Sequence, residues 1–184
     1  MEYSIDTLLP AVAKPARYTG GEWNEVRKDP AAVAVRFALA LPDVYEVGMS
    51  NLGLKILYGI LNDRADTYTE RAYCPWPDME QAMREAGAPL TSLETRTILR
   101  EFDAVGFSLQ YEMTYSNILT MLDLGGIPLT SADRADTDPL IVGGGPCAYN
   151  PEPLADFFDC FVIGEGEEII GELAAAIAGW KQAG

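Results

Sequence analysis

Four short stretches carry residue types that could do chemistry. Gly143-Gly144-Gly145-Pro146 offers three consecutive residues without a Cβ, which lets a ligand approach the backbone closely and permits positive φ angles. Gly164-Glu165-Gly166-Glu167-Glu168 leads into an amphipathic pattern and so stands at a helix N-terminus, a natural anion site; three neighbouring carboxylates there would repel a phosphate. Asp43-Val44-Tyr45-Glu46-Val47-Gly48, with Ser50 and Asn51 just behind it, has the polar and glycine content of a loop that holds something. Ser108-Leu109-Gln110 ends an apolar run with a hydroxyl and an amide. Each has a plainer reading: acids in a first turn are common dipole partners, and Ser108 could simply bond a neighbouring backbone group.

What is missing narrows the chemistry further. The 184 residues contain no histidine, which removes Ser-His-Asp and Cys-His catalysis and ordinary zinc hydrolysis from this chain. Its three cysteines, Cys74, Cys147 and Cys160, are far apart; they fit reduced thiols better than a disulfide framework and form no CxxC or CxxxCxxC cluster. The formal charge is −15, from 28 acidic and 13 basic residues, so the surface repels nucleic-acid backbones and anionic headgroups. The longest apolar run, Ala31 to Leu41, is broken by Arg36 and too short for a bilayer. A cytoplasmic protein with neither a nucleic-acid nor a membrane partner is expected.

The elements that must position these stretches follow from periodicity. Residues 1–32, with the stretch Lys14 to Asn24 rich in turn formers, read as an extended N-terminal arm, and 33–184 as one domain. Ala32 to Leu41 reads as a buried strand, after which Leu54, Leu57, Tyr58 and Leu61 share a helical face capped by Ser50 or Asn51. Thr67 to Cys74 is a more polar strand, nearer an edge. A helix starts at the prolines near 75–77 and stops at Gly87. Further strands are expected at Ala104–Gln110, Pro139–Gly145 and Cys160–Gly166, with helices after the first and last of these. Apolar strands alternating with amphipathic helices predict an α/β fold: a three-layer, doubly wound, parallel five-stranded sheet of flavodoxin-like order 2-1-3-4-5. In such a sheet ligands bind beyond the carboxyl ends of the strands, where all four stretches fall.

The stretch Ile141 to Ile170, "IVGGGPCAYNPEPLADFFDCFVIGEGEEII", closely resembles the last third of the cobalamin-binding-type domain that precedes the catalytic barrel in one large class of radical S-adenosylmethionine proteins. The resemblance extends back through "FDAVGFSLQYEMTYSNIL" and "LPDVYEVGMSNLGLKILYGIL", and "YTGGEWN" resembles the N-terminal arm of one subgroup. It implies a cofactor-binding loop at Asp43, Tyr45, Gly48, Ser50 and Asn51, and a slot for a nucleotide tail lined by Ser108 and Leu109 and by Gly143, Gly144, Gly145 and Pro146. Gly164, Glu165 and Gly166 complete the implied site. In histidine-ligating cobalamin domains the first loop is Asp-x-His-x-x-Gly, whose histidine binds cobalt and whose aspartate supports it. Here Tyr45 stands in the histidine's place, and a phenol of pKa about 10 is a poor neutral donor. The resemblance therefore implies cobalamin without histidine ligation, with the [4Fe-4S] cluster and S-adenosylmethionine held by a radical barrel downstream of Gly184.

Two other classes remain open from the residues. One is a docking module whose cleft is vestigial and whose strand-end loops contact the barrel or a partner. The other is a flavodoxin-like FMN carrier or phospho-receiver, disfavoured because no Ser/Thr-rich phosphate cradle follows the first strand and no aspartate ends the third.

Overall fold

The structure, a computed structural model, describes residues 5–183. Five parallel strands lie in the order β2-β1-β3-β4-β5: β1 Val35–Leu41, β2 Thr67–Tyr73, β3 Ala104–Ser108, β4 Leu140–Gly144 and β5 Cys160–Val162. The helices are α1 Tyr45–Ser50, α2 Leu52–Asp63, α3 Pro77–Ala86, α4 Tyr115–Leu124 and α5 Gly166–Ala183. Side chains alternate across β1. Val35, Phe37, Leu39 and Leu41 pack with Leu54, Tyr58 and Leu61 of α2 and with Ile170, Ala174 and Ile177 of α5. Ala38 and Ala40 face the other way, against Met79 and Met83 of α3 and Ile118, Met121 and Leu122 of α4. The sheet is thus covered on both faces, as its continuous apolar strands require. No helix among the described residues is long and apolar enough to cross a membrane.

Local signals set the helix ends. Asn51 accepts the Leu54 amide at 2.8 Å and caps α2. Gly87 ends α3 in the left-handed region, φ 64°. One element departs from the periodicity: Tyr45–Ser50, which carries no apolar stripe, is itself a short helix, and the chain bends at Asn51 into α2.

β2 lies at the edge, as its polarity suggests, yet all seven of its residues are buried. Three devices occupy its free backbone edge, which would otherwise invite pairing with another chain. Lys28 of the arm donates to the Thr67 carbonyl at 2.7 Å. The Asn62 side chain both donates to Thr69 O and accepts from Thr69 N, at 3.0 and 3.1 Å. Glu94 accepts the Arg71 amide at 2.7 Å, and Leu93 N donates to Arg71 O at 2.8 Å. The carboxylate of Glu94 also pairs with the Arg71 guanidinium at 2.6 Å, with both side chains at 1% exposure or less. Arg71 lies over the Tyr58 ring, 4.5 Å from its centre. Burial pushes the Glu94 carboxyl up against the opposing pull of Arg71.

Removing one partner of a buried pair strands the other charge. Glu94→Ala is therefore expected to cost about 3–5 kcal/mol in urea unfolding, with Arg71 left uncompensated. A loss below about 1 kcal/mol, the level of an exposed pair, would show that the edge is held by other contacts.

Candidate functional site at the carboxyl ends of the strands

The loops after β3 and β4 are interlocked. Leu109 N donates to Gly144 O at 2.6 Å, and Cys147 N donates to Leu109 O at 3.0 Å. Gly145 makes this possible: its φ is 106°, and a Cβ there would sit 3.0 Å from Leu109 O. Its neighbours lack side chains for different reasons. A Cβ on Gly143 would meet Phe161 at 2.8 Å and Leu109 Cδ1 at 3.0 Å, so this glycine admits packing on one face of the sheet. A Cβ on Gly144 would point to the opposite face, with its nearest neighbour, Val162 Cβ, 3.8 Å away.

The space above Gly144 is the mouth of a cavity of about 230 Å³ between the sheet and helices α2 and α5. Its floor is Phe37 and Leu39 of β1 with Gly106 of β3; a Cβ at Gly106 would lie 2.7 Å from the Phe37 ring, so the missing side chain gives that ring its room. Leu54 and Leu57 of α2 and Ile169 and Ile170 of α5 form the walls. Ser108, Gln110, Gly144, Gly145 and the turn Gly164-Glu165-Gly166 surround the opening, and Gln110 Nε2 donates to Ser108 Oγ at 2.7 Å. Gly164 turns with φ 118°. The interior is apolar, with polar groups confined to the mouth; Glu165 and Glu167 are exposed carboxylates there. Such a lining can surround an apolar group and offer it a few hydrogen bonds at the mouth.

The loop after β1 looks elsewhere. Asp43 bonds its own surroundings, Oδ1 accepting Val44 N at 2.7 Å and the carbonyl accepting Cys74 N at 2.9 Å. The Tyr45 hydroxyl donates to the carboxylate of Glu22 in the arm, and its ring packs edge-on against Tyr73, 5.9 Å between centres. Burial, then the hydrogen bond and charge of Glu22, push the Tyr45 phenol up from 10.0 to about 12. Arg17 and Lys14 of the arm bind Glu46 at 2.9 and 3.3 Å. Gly48 has a packing reason of its own, because a Cβ there would lie 2.1 Å from Tyr73 Cε1. Ser50 Oγ donates to Val47 O at 2.9 Å, and Asn51 caps α2.

Of the residues singled out from sequence, the fold brings Ser108, Gly144, Gly145, Gly164, Glu165 and Gly166 around one opening. Asp43, Tyr45, Gly48, Ser50 and Asn51 do not line the cavity; from that segment Gly53 does. Leu109 and Gly143 serve the opposite face, and Pro146 starts the short 3-10 turn Pro146–Tyr149. Sequence reasoning missed Phe37 and Gly106, and read Leu57 only as part of a helical stripe and Gln110 only as the end of the Ser108 stretch. A glycine inside the strand "AVGFS" was the available signal, since it marks close approach of another group.

The segments that follow the strands expose large apolar side chains: Val47 of α1 and the first residue of α2, Leu52, after β1, Tyr111 and Met113 after β3, Tyr149 after β4 and Ile163 after β5. Scattered single exposures are ordinary, but these six all follow carboxyl ends of strands.

The architecture is that of a doubly wound α/β domain with an open cavity at the carboxyl ends of its strands. Residues 53–184 match the family described as the N-terminal region of radical SAM proteins, and the chain belongs to that family. It is also 26% identical over 131 residues, 71% of this chain, to an uncharacterised protein of Methanocaldococcus jannaschii. It spans about a quarter (24%) of that relative's length.

The Tyr45 contact has a pH consequence. Because the folded phenol titrates near 12 and the unfolded one near 10.0, the neutral form is favoured by folding. Its contribution is complete below the unfolded value and is lost as pH rises through the folded one. In ultraviolet titration the difference between wild type and Tyr45→Phe should therefore appear near pH 12, and Glu22→Gln should move it lower. A Tyr45 transition at the ordinary value of 10.0 in the wild-type protein would contradict the contact.

Proposed function

We propose that this chain is the accessory, cofactor-binding domain of a radical S-adenosylmethionine protein, and that its strand-end cavity takes the nucleotide tail of a corrinoid such as cobalamin. The family assignment supports the accessory role. The observation that carries the corrinoid reading is the opening at Gly144 beside Ser108, where a missing Cβ leads into an apolar cavity between the sheet and α2 and α5. The serine after the third strand and the paired glycines after the fourth are the signatures that imply a tail slot, and Ser108 and Gly144 meet at this one opening. The residues present fit a flat heterocycle: Phe37, Leu39 and Gly106 beneath it, Leu54, Leu57 and Ile170 around it, and Ser108 and Gln110 as hydrogen-bonding groups at the mouth.

Tyr45 is turned to Glu22, and the chain has no histidine, so this domain offers cobalt no imidazole. A corrinoid held here supplies a cobalt centre able to carry an organic group or an electron. The protein's part is to hold the tail, orient the ring over the strand ends and exclude water with the apolar rim. The [4Fe-4S] cluster and S-adenosylmethionine belong, in this reading, to a catalytic barrel elsewhere in a longer polypeptide, since Cys74, Cys147 and Cys160 are not spaced to ligate a cluster.

The rim favours a second reading, in which the same face serves to dock the domain against the barrel and the cavity stays empty. Titration of the full polypeptide with hydroxocobalamin separates the two. Saturable one-to-one binding with a shifted visible spectrum is expected, and Gly144→Val should abolish it while leaving the fold intact, because its Cβ meets nothing closer than 3.8 Å. No spectral or calorimetric response at high micromolar corrinoid would remove the cofactor reading and leave the docking one.

A further inference from the structure

The cavity that opens at Gly144 separates its polar and apolar groups by depth. Phe37, Leu39, Leu54 and Val142 line it, and none is more than 3% exposed. Its polar side chains are those of Ser108, Gln110, Glu165 and Glu167; Ser108 is partly buried, the other three are exposed, and all four stand at the mouth. The strands beneath have no spare backbone groups to offer. β1 pairs with β2 and β3, β3 with β1 and β4, and β4 with β3 and β5, so their amides and carbonyls are taken up in ladders. At the opening itself, Gly144 O already accepts Leu109 N at 2.6 Å. A group that passes the mouth therefore meets, among the described residues, apolar side chains and backbone that is already bonded.

Such a cavity discriminates by polarity more than by size. A polar atom that leaves water and finds no partner loses its hydration outright, whereas an apolar atom gains from the same transfer. The bases that end corrinoid tails differ in this respect. A p-cresol tail puts no nitrogen into the cavity. Dimethylbenzimidazole brings two methyl groups and a single ring nitrogen once it is free of cobalt. Adenine brings an exocyclic amine and several ring nitrogens, each of which needs a partner.

We infer that the cavity selects corrinoids by their tail base, accepting a phenolic or methylated benzimidazole base and discriminating against a purine. The inference deepens the corrinoid reading and rests on it. Leu57 is the wall residue at which the selection is most open to change. It is partly buried, and its Cδ2 lies 3.6 Å from where a Cβ on Gly166 would stand, so here α2 closes against the turn before α5. An amide at this position would supply both a donor and an acceptor to an entering base.

The test titrates the full polypeptide calorimetrically with corrinoids that differ only in the tail: p-cresol, dimethylbenzimidazole, adenine, and the tailless cobinamide. All are used as dicyano forms, in which cyanide takes both axial positions and every base is already free of cobalt, so the comparison reads the cavity alone. The p-cresol and dimethylbenzimidazole forms are expected to bind about tenfold to a hundredfold more tightly than the adenine form, the effect of leaving polar groups unpaired. Leu57→Gln should narrow that ratio by roughly fivefold or more, while leaving the affinity for cobinamide unchanged as a check that the domain is folded. An adenine form that binds within about twofold of the other two, with all three tighter than cobinamide, would overturn the selection while keeping the tail in the cavity. Equal binding of cobinamide and the tailed forms, or no binding of any, would instead remove the corrinoid-tail reading, and this inference with it.

Discussion

Three consecutive positions without a Cβ govern the carboxyl end of the sheet. A strand alternates its faces at every residue, so Gly143 and Gly144 solve opposite problems although they are neighbours. Gly143 gives room to Phe161 and Leu109 on the α3/α4 side, and Gly144 leaves the α2/α5 side open. Gly145 then reverses the chain at φ 106° and lets the β4 loop close on the backbone of Leu109. The cavity, its mouth and the placing of Ser108 all depend on this sequence of steps. A side chain at Gly143 or Gly145 acts on the fold; one at Gly144 acts on the cavity.

The other end of the sheet's width is held by charge. β2 reads as a polar edge strand, and its polar side chains are consumed internally: Arg71 by Glu94, and Glu70 by Ser92, Thr95 and Arg36. The N-terminal arm closes the same edge through Lys28, and Asn24 approaches Arg71 at 3.4 Å. Through Glu22, Arg17 and Lys14 the arm also fixes α1. The frame Asp43-x-Tyr45-x-x-Gly48 is therefore accounted for by local packing, with Tyr73 filling the space at Gly48 and Glu22 engaging Tyr45. The central side chain of this loop is committed to the arm.

Much of this was legible in the sequence. The alternation of apolar runs with helical stripes gives the five strands, the principal helices and the order 2-1-3-4-5, because short-range periodicity and right-handed crossovers leave few alternatives. A cap at Ser50 or Asn51, which the fold resolves to Asn51, and Gly87 as a stop follow from local chemistry. What stayed hidden depends on distant partners. Nothing near Tyr45 signals that Glu22 will take its hydroxyl, and nothing in "TYTERAY" tells that Glu94 will bury Arg71. The helix Tyr45–Ser50 has too few residues to show a period. The cavity floor escaped notice because Phe37 and Gly106 look like ordinary strand residues until the register, which sets Leu39 opposite Gly106 and Phe37 opposite Ala104, brings the Phe37 ring diagonally into the space a Cβ on Gly106 would take.

The central claim is that the strand-end cavity receives the tail of a corrinoid whose cobalt has no imidazole from this domain. Electron paramagnetic resonance of the full polypeptide loaded with cob(II)alamin addresses it directly. With the tail base drawn into the cavity and no histidine from this domain to replace it, the cobalt lines should show no nitrogen superhyperfine splitting from the corrinoid's own base. A nitrogen splitting that changes when the corrinoid rather than the protein carries nitrogen-15 would mean that the tail base remains on cobalt and that the cavity does not hold it.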